Sequence, residues 1–158
     1  MDRMTTHEPK DYVCPFCEFI GGKETDYNKK QDIVHQNEFT TAFIAPKWWK
    51  NNTGHVLVIP NHHFENLYTI PDEQLAEVYK TVKAVAIAIR ESYDCDGTST
   101  RQHNEPAGNQ DVWHFHAHVY PRYKDDELYA NHYQQGFVDA QARLPYAEKL
   151  RAYFAKQA

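Results

Sequence analysis

No apolar run in this chain approaches the roughly 20 residues that a helix needs to cross a bilayer, and the mean hydropathy is -0.80. A helical membrane span is therefore not expected. Met1 to Glu8 alternates charge and polarity and has no apolar segment fit for a signal peptide, which predicts a cytoplasmic protein. Cysteine is scarce. The three residues Cys14, Cys17 and Cys95 cannot all pair internally, and Cys14 and Cys17 stand at the spacing of a metal or redox pair rather than of a disulfide framework. Positive charge is also short, with 17 Lys and Arg against 22 Asp and Glu. Broad binding to a nucleic-acid backbone needs a cationic surplus to displace counterions, so that class of partner is not expected. Repeats, low-complexity tracts and Gly/Ser linkers are missing, and the 158 residues read as one domain, 1–158, with a poorly ordered start over about 1–10.

Histidine, by contrast, is abundant. Ten copies supply groups that titrate near neutral pH, enough to build a local pocket for a small phosphorylated ligand.

Several strands and one long helix are expected. Asp32–Gln36 and Phe39–Ile44 read as a hairpin across an Asn37-Glu38 turn, Pro46–Gly54 as a connecting loop, and His55–Ile59 as a buried strand ended by Pro60. Leu75, Val78, Val82, Val85 and Ile89 recur at helical spacing behind Pro71, predicting a helix to about Ser92. A turn at Asp94–Gly97 precedes a strand over Thr98–Gln102, and Tyr146, Leu150, Tyr153 and Phe154 predict a short helix over about 145–157. The class is α+β.

Between Trp113 and Tyr120 the sequence alternates strictly. On a strand this places His114, His116 and His118 on one face, about 6.5 Å apart per step, with Phe115, Ala117 and Val119 on the other. Aligned imidazoles suit two chemistries, metal coordination and nucleophilic or acid/base catalysis. The preceding loop, Asn104 to Asp111, is turn-rich, and its backbone amides are suited to cradling an anion.

The run Ala107-Gly108-Asn109-Gln110-Asp111-Val112-Trp113-His114-Phe115-His116-Ala117-His118-Val119-Tyr120-Pro121-Arg122 resembles the signature of the histidine-triad nucleotide-binding proteins. Cys14-Pro15-Phe16-Cys17 is similar to the zinc-type N-terminal segment of bacterial members, and Gly54 to Pro60 followed by His62-His63 to their central strand. The resemblance implies a HIT-like fold: a five-stranded antiparallel sheet with one long helix and short terminal helices, usually as a homodimer. It implies hydrolysis or transfer at the α-phosphate of a nucleotide conjugate. In that reading His116 is the nucleophile that forms a covalent nucleotidyl-histidine, His118 holds phosphate or leaving-group oxygen, and His55 lies beside the pocket. Asn104 contacts substrate or positions the nucleophile, and the loop of Gly108, Asn109, Gln110 and Asp111 binds substrate and stabilises charge on its phosphoryl oxygens. Cys14, Cys17, His63 and His114 complete a structural Zn2+ site, with His63 rather than His62 at the matching position. Cys95 is left as a lone thiol.

Two places depart from the family pattern. Ala45 stands where relatives carry Asp or Asn for the ribose hydroxyls, and Asn109-Gln110-Asp111 replaces the usual Gly-Gln-Ser or Gly-Gln-Thr, so that Asp111 puts a carboxylate where a hydroxyl normally faces phosphate. Trp48 and Trp49 suit either base stacking or packing. Two other readings carry distinct expectations: a mononuclear zinc hydrolase coordinated by the strand histidines, and a nucleotide-binding protein without catalysis.

Overall fold

A computed structural model describes residues 5–158. The first part of the stretch expected to be poorly ordered, residues 1–4, lies outside the described residues. Beyond it, the Thr6 hydroxyl and His7 amide both donate to the Glu65 carboxylate, at 2.6 and 2.7 Å.

The chain forms α1 (Pro15–Ile20), β1 (Ile33–Gln36), β2 (Thr40–Ile44), β3 (Lys47–Trp49), β4 (Val56–Pro60), α2 (Asp72–Ser92), β5 (Gly97–Gln102), β6 (Ala117–Arg122), β7 (Gln135–Phe137) and α3 (Ala140–Gln157). Five strands make one antiparallel sheet in the order β1-β2-β4-β6-β5. One sheet face packs Ala42, Ile44, Val56, Val58, Phe115, Ala117 and Val119 against the periodic α2 residues Val78, Val82, Val85 and Ile89 and against Leu150. The opposite face carries Phe43, Leu57 and Ile59 beneath Phe16 and Phe19 of α1. The period-two alternation read from the sequence is the cause: β2 and β4 send alternate residues to α2 and to α1.

Three expectations need correction. Pro46–Gly54 is not all loop, because Lys47–Trp49 forms β3 and pairs with Gln135–Phe137 in a second, two-stranded sheet. Three residues are too few to show a period. The C-terminal helix begins at Ala140 rather than near 145 and is 18 residues long. Its start has little apolar periodicity because its buried member is Arg143, whose guanidinium forms a two-bond pair with Asp32 at 2.9 and 2.8 Å. Asp139 caps it by accepting from the Ala142 amide at 2.9 Å. Pro145 is tolerated in the second turn, where the carbonyl it leaves unpaired belongs to exposed Gln141. Finally, the histidine strand is shorter than expected. Ladder pairing starts at Ala117, so His114 and His116 lie on the segment leading into β6. No helix among the described residues is long and apolar enough to cross a membrane.

Candidate functional site

The sheet register builds the site floor. Phe43 pairs with Leu57, Leu57 with His118, and His118 with Arg101, so one row runs across β2, β4, β6 and β5 on the α1 face. His116 follows on the same face as His118, with ring centroids 5.2 Å apart, and the Phe16 ring meets both His114 and His116 edge-on.

His116 is 4% exposed. Its Nδ1–H donates to the backbone carbonyl of His114 at 2.7 Å. That bond fixes the tautomer and leaves Nε2 with its lone pair free, 3.7 Å from Oδ1 of Asp111. When the ring also takes a proton at Nε2, its hydrogen bond holds the Asp111 carboxyl below the usual carboxylate range despite partial burial. His118 Nδ1 lies 3.5 Å from Nε2 of His55. Burial, followed by the nearby His116 and His55, lowers His118 well below the ordinary histidine value. Burial, then Arg101, lowers His55 to about 3. Both rings are neutral at pH 7. His55 stacks on Tyr120 at 4.5 Å, and its buried Nδ1 has no hydrogen-bond partner among the described residues.

Two adjoining cavities meet over these residues. The first, about 200 Å³, is largely apolar, with Phe16, Tyr27, Ala45, Trp49, Leu57, Val112 and Phe137 in its wall, and His55, Asp111, His116 and His118 at its polar end. The second, about 280 Å³, shares Lys47, Trp49, Asp111, His118 and Gln135 with the first and adds Arg101, His103, Asn109, Gln110 and His132.

The loop residues named from the sequence divide. Asp111 and Asn109 face cavities, and Asn109 sits in the left-handed region at φ 69°. Gln110 borders the second cavity, but its side chain is spent on structure, accepting from the Glu105 amide and donating to the Glu65 and Val112 carbonyls. Gly108 offers its carbonyl to His103 Nδ1 at 2.7 Å. Asn104 lines neither cavity; it accepts from the Leu67 amide at 2.8 Å and exchanges two bonds with Gln102, holding the loop after β4. The tryptophans separate as well. Trp48 is buried against Tyr146, while Trp49 walls both cavities and donates to the His132 carbonyl at 3.0 Å.

Sequence reasoning missed Asn28, Arg101, His103 and His132. Asn28 lines the first cavity with Ala45, and its buried Oδ1 has no partner among the described residues. Arg101 was available as the one cationic member of a β-branched strand and His103 as the residue that follows it, whereas nothing in the polar stretch containing His132 marks it out.

At the other end of the histidine segment, ligand atoms of Cys14, Cys17, His63 and His114 all lie within 4.8 Å of one another. The separations are 3.4 Å for Cys14 Sγ to His114 Nδ1, 3.4 Å for Cys17 Sγ to His63 Nδ1, 3.6 Å for Cys17 Sγ to His114 Nδ1, and 3.2 Å between the two Nδ1 atoms. Tetrahedral zinc with ordinary Zn–S and Zn–N lengths puts its ligand atoms about 3.3–3.8 Å apart. His114 Nε2–H donates to the Pro60 carbonyl at 2.9 Å, which leaves Nδ1 as the coordinating atom, and His63 Nε2 meets the Glu8 carboxylate. Burial and the neighbouring Cys14 push the Cys17 thiol up to about 12, a repulsion that a cation would reverse. The donor set fits zinc. His62 is exposed and outside the group, and Cys95 is buried against the Ile89 carbonyl.

The model of the HIT domain family matches residues 27–125. The Protein hit of Bacillus subtilis is 34% identical over 110 residues, covering 70% of this chain and 71% of its own. The chain belongs to the HIT domain family. A zinc-bound histidine triad family protein of Mycobacterium smegmatis has a similar structure, with TM-score 0.73 and 28% identity over 91% of this chain and 94% of its own. The adenosine 5'-monophosphoramidase HNT1 of Saccharomyces cerevisiae is 27% identical over 76% of this chain and 69% of its own.

Proposed function

We propose that the protein hydrolyses or transfers at the α-phosphate of a nucleotide conjugate, a dinucleoside polyphosphate or a nucleoside phosphoramidate, through a covalent nucleotidyl-histidine on His116. The observation that carries this is the His116 tautomer. With its proton committed to the His114 carbonyl, Nε2 faces the pocket as a free lone pair.

The nucleoside occupies the apolar cavity, with Asn28 Oδ1 supplying the polar acceptor on the wall where Ala45 has none. The Nε2 lone pair attacks phosphorus, the bond from phosphorus to the leaving group breaks, and its electrons depart on the leaving atom. Only one of the facing His55 and His118 nitrogens can carry the proton between them. With it on His55 Nε2, His118 keeps its own Nε2–H as a donor to a phosphoryl or leaving-group oxygen. Water then attacks phosphorus, the N–P electrons return to Nε2, and the ionised Asp111 accepts the proton.

Zinc, when bound by Cys14, Cys17, His63 and His114, ties the N-terminal segment to the entrance of β6 and supplies no reacting atom. The mononuclear hydrolase reading finds less support, because His114 turns Nδ1 to the cysteines and His116 spends Nδ1 on a carbonyl. A cytoplasmic homodimer is part of the proposal, and β5 leaves one edge of the main sheet open to a second copy.

The test is turnover of a panel of dinucleoside polyphosphates and phosphoramidates by wild type and His116→Ala. Cleavage between the α-phosphorus and the leaving group, lost in the variant, is expected. Equal turnover by the variant would overturn the nucleophile assignment.

A further inference from the structure

The second cavity has a charge character that the nucleophile does not require. Lys47 and Arg101 reach into it, and neither forms an ion pair with a carboxylate among the described residues. Two other arginines show the alternative: Arg122 is paired with Asp126 and Arg143 with Asp32. Arg101 is instead braced on aromatic faces, its guanidinium 5.2 Å from the Tyr120 ring centroid and 4.6 Å from that of Tyr129. Such stacking orients the guanidinium and leaves its edge donors available. His103 and His132 add two further imidazoles, against the single carboxylate of Asp111. In a chain with net charge -5, a recess with this balance is a selective feature.

Its position relative to His116 gives the recess a role. His118 and Asp111 border both cavities, whereas His116 borders only the apolar one. In an in-line displacement the leaving group departs on the side of phosphorus away from the nucleophile. A nucleoside in the apolar cavity and an α-phosphate at His116 therefore direct the leaving group past His118 and Asp111 into the recess. The strand register supports this order, because Arg101 stands directly across from His118 on the same sheet face.

We propose that the recess is a leaving-group subsite for a polyphosphate, with Arg101 and Lys47 as its permanent charges, so that the physiological substrates are nucleoside polyphosphate conjugates rather than amidates of uncharged amines. The proposal rests on the nucleotidyl-transfer reading above. It also accounts for Asp111, whose charge opposite an incoming phosphate is offset by Lys47 and Arg101. The bond broken is P–O, its electrons remain on the departing terminal phosphate, and that phosphate leaves as an anion paired with Arg101. Burial lowers His103 from its ordinary value, leaving it neutral until an anion enters the recess and favours its protonated form.

The experiment compares a dinucleoside polyphosphate with a phosphoramidate of the same nucleoside monophosphate and an uncharged amine. In Arg101→Gln the ratio of kcat/KM, polyphosphate over amidate, is expected to fall about ten-fold or more, and Arg101→Lys to restore part of it. An unchanged ratio overturns the proposal, since a merely structural role would depress both substrates together. A second readout needs no turnover: inorganic tripolyphosphate titrated calorimetrically into His116→Ala should bind about ten-fold more tightly than into the His116→Ala, Arg101→Gln protein. Equal binding, or none, overturns the subsite. If wild type cleaves neither substrate, the nucleophile reading fails, while the titration still decides the recess.

Discussion

His114 and His116 are the same residue two positions apart on one extended segment, yet their rings are oriented for opposite purposes. His114 gives Nε2–H to the Pro60 carbonyl and turns Nδ1 toward two sulfurs and a second imidazole. His116 gives Nδ1–H to its own chain and presents Nε2 to a pocket with a carboxylate beside it. A backbone carbonyl makes the difference in each case, by choosing which nitrogen keeps its lone pair. One end of the segment is thereby closed and built for a cation, and the other is open and built for an electrophile.

Removing one group from each end, and reading activity and bound zinc together, separates the two. His116→Ala should lower kcat by about 10³-fold or more while zinc per chain, counted by atomic emission, stays at the wild-type level. Loss of zinc in that variant would merge the two ends. Cys17→Ser should do the reverse: lose the metal and lower unfolding free energy by on the order of 4 kcal/mol, with chelation of wild type giving a similar drop in the thermal midpoint. An unshifted midpoint would show that the cluster ties nothing down.

Asp111→Ser sharpens the open end. If the carboxylate takes the water proton, the second chemical step should slow by about 10²-fold, and rapid-quench kinetics should show a burst of leaving group equal to the enzyme present. A uniform loss of both steps would assign Asp111 to packing. The last test concerns pH. His55 is held at about 3 when folded and returns to about 6.5 when unfolded, so below pH 6.5 the unfolded chain takes up a proton that the folded one refuses. Stability attributable to His55 is intact above pH 6.5 and falls toward pH 3 by up to ~1.4 kcal/mol per pH unit. Denaturant titrations of wild type and His55→Gln should converge as the pH is lowered through that window, and parallel curves would place the group in a wetter environment.

Much of this architecture was legible from alternation. The pattern Phe115, Ala117, Val119 against His114, His116, His118 assigned both faces of the segment correctly. The spacing of Val78, Val82, Val85 and Ile89 located α2 to within a residue of its observed start and end. What stayed hidden depends on partners distant in sequence. β3 exists because Gln135–Phe137 returns to it, and the first turn of α3 is buried through an Arg143–Asp32 pair that no apolar period could announce. The same holds at the site. Cys14, Cys17, His63 and His114 were assembled through likeness to a family, and the structure brings those four together. Arg101 acquires meaning only from its register with His118, and His132 only from a segment that lies beyond the residues matched by the family model. Asn104, placed through likeness to the family as a residue that contacts substrate or positions the nucleophile, bonds to Gln102 at the end of β5 and to the Leu67 amide.

The most direct measurement is mass mapping of the acid-labile adduct. Wild type is mixed with a nucleotide conjugate, quenched at alkaline pH within the first turnover, digested and sequenced by tandem mass spectrometry. One nucleoside monophosphate mass is expected on the peptide containing His114, His116 and His118, located at His116. An adduct on His118 or His55, or turnover under these conditions with no adduct on any histidine, would contradict that assignment.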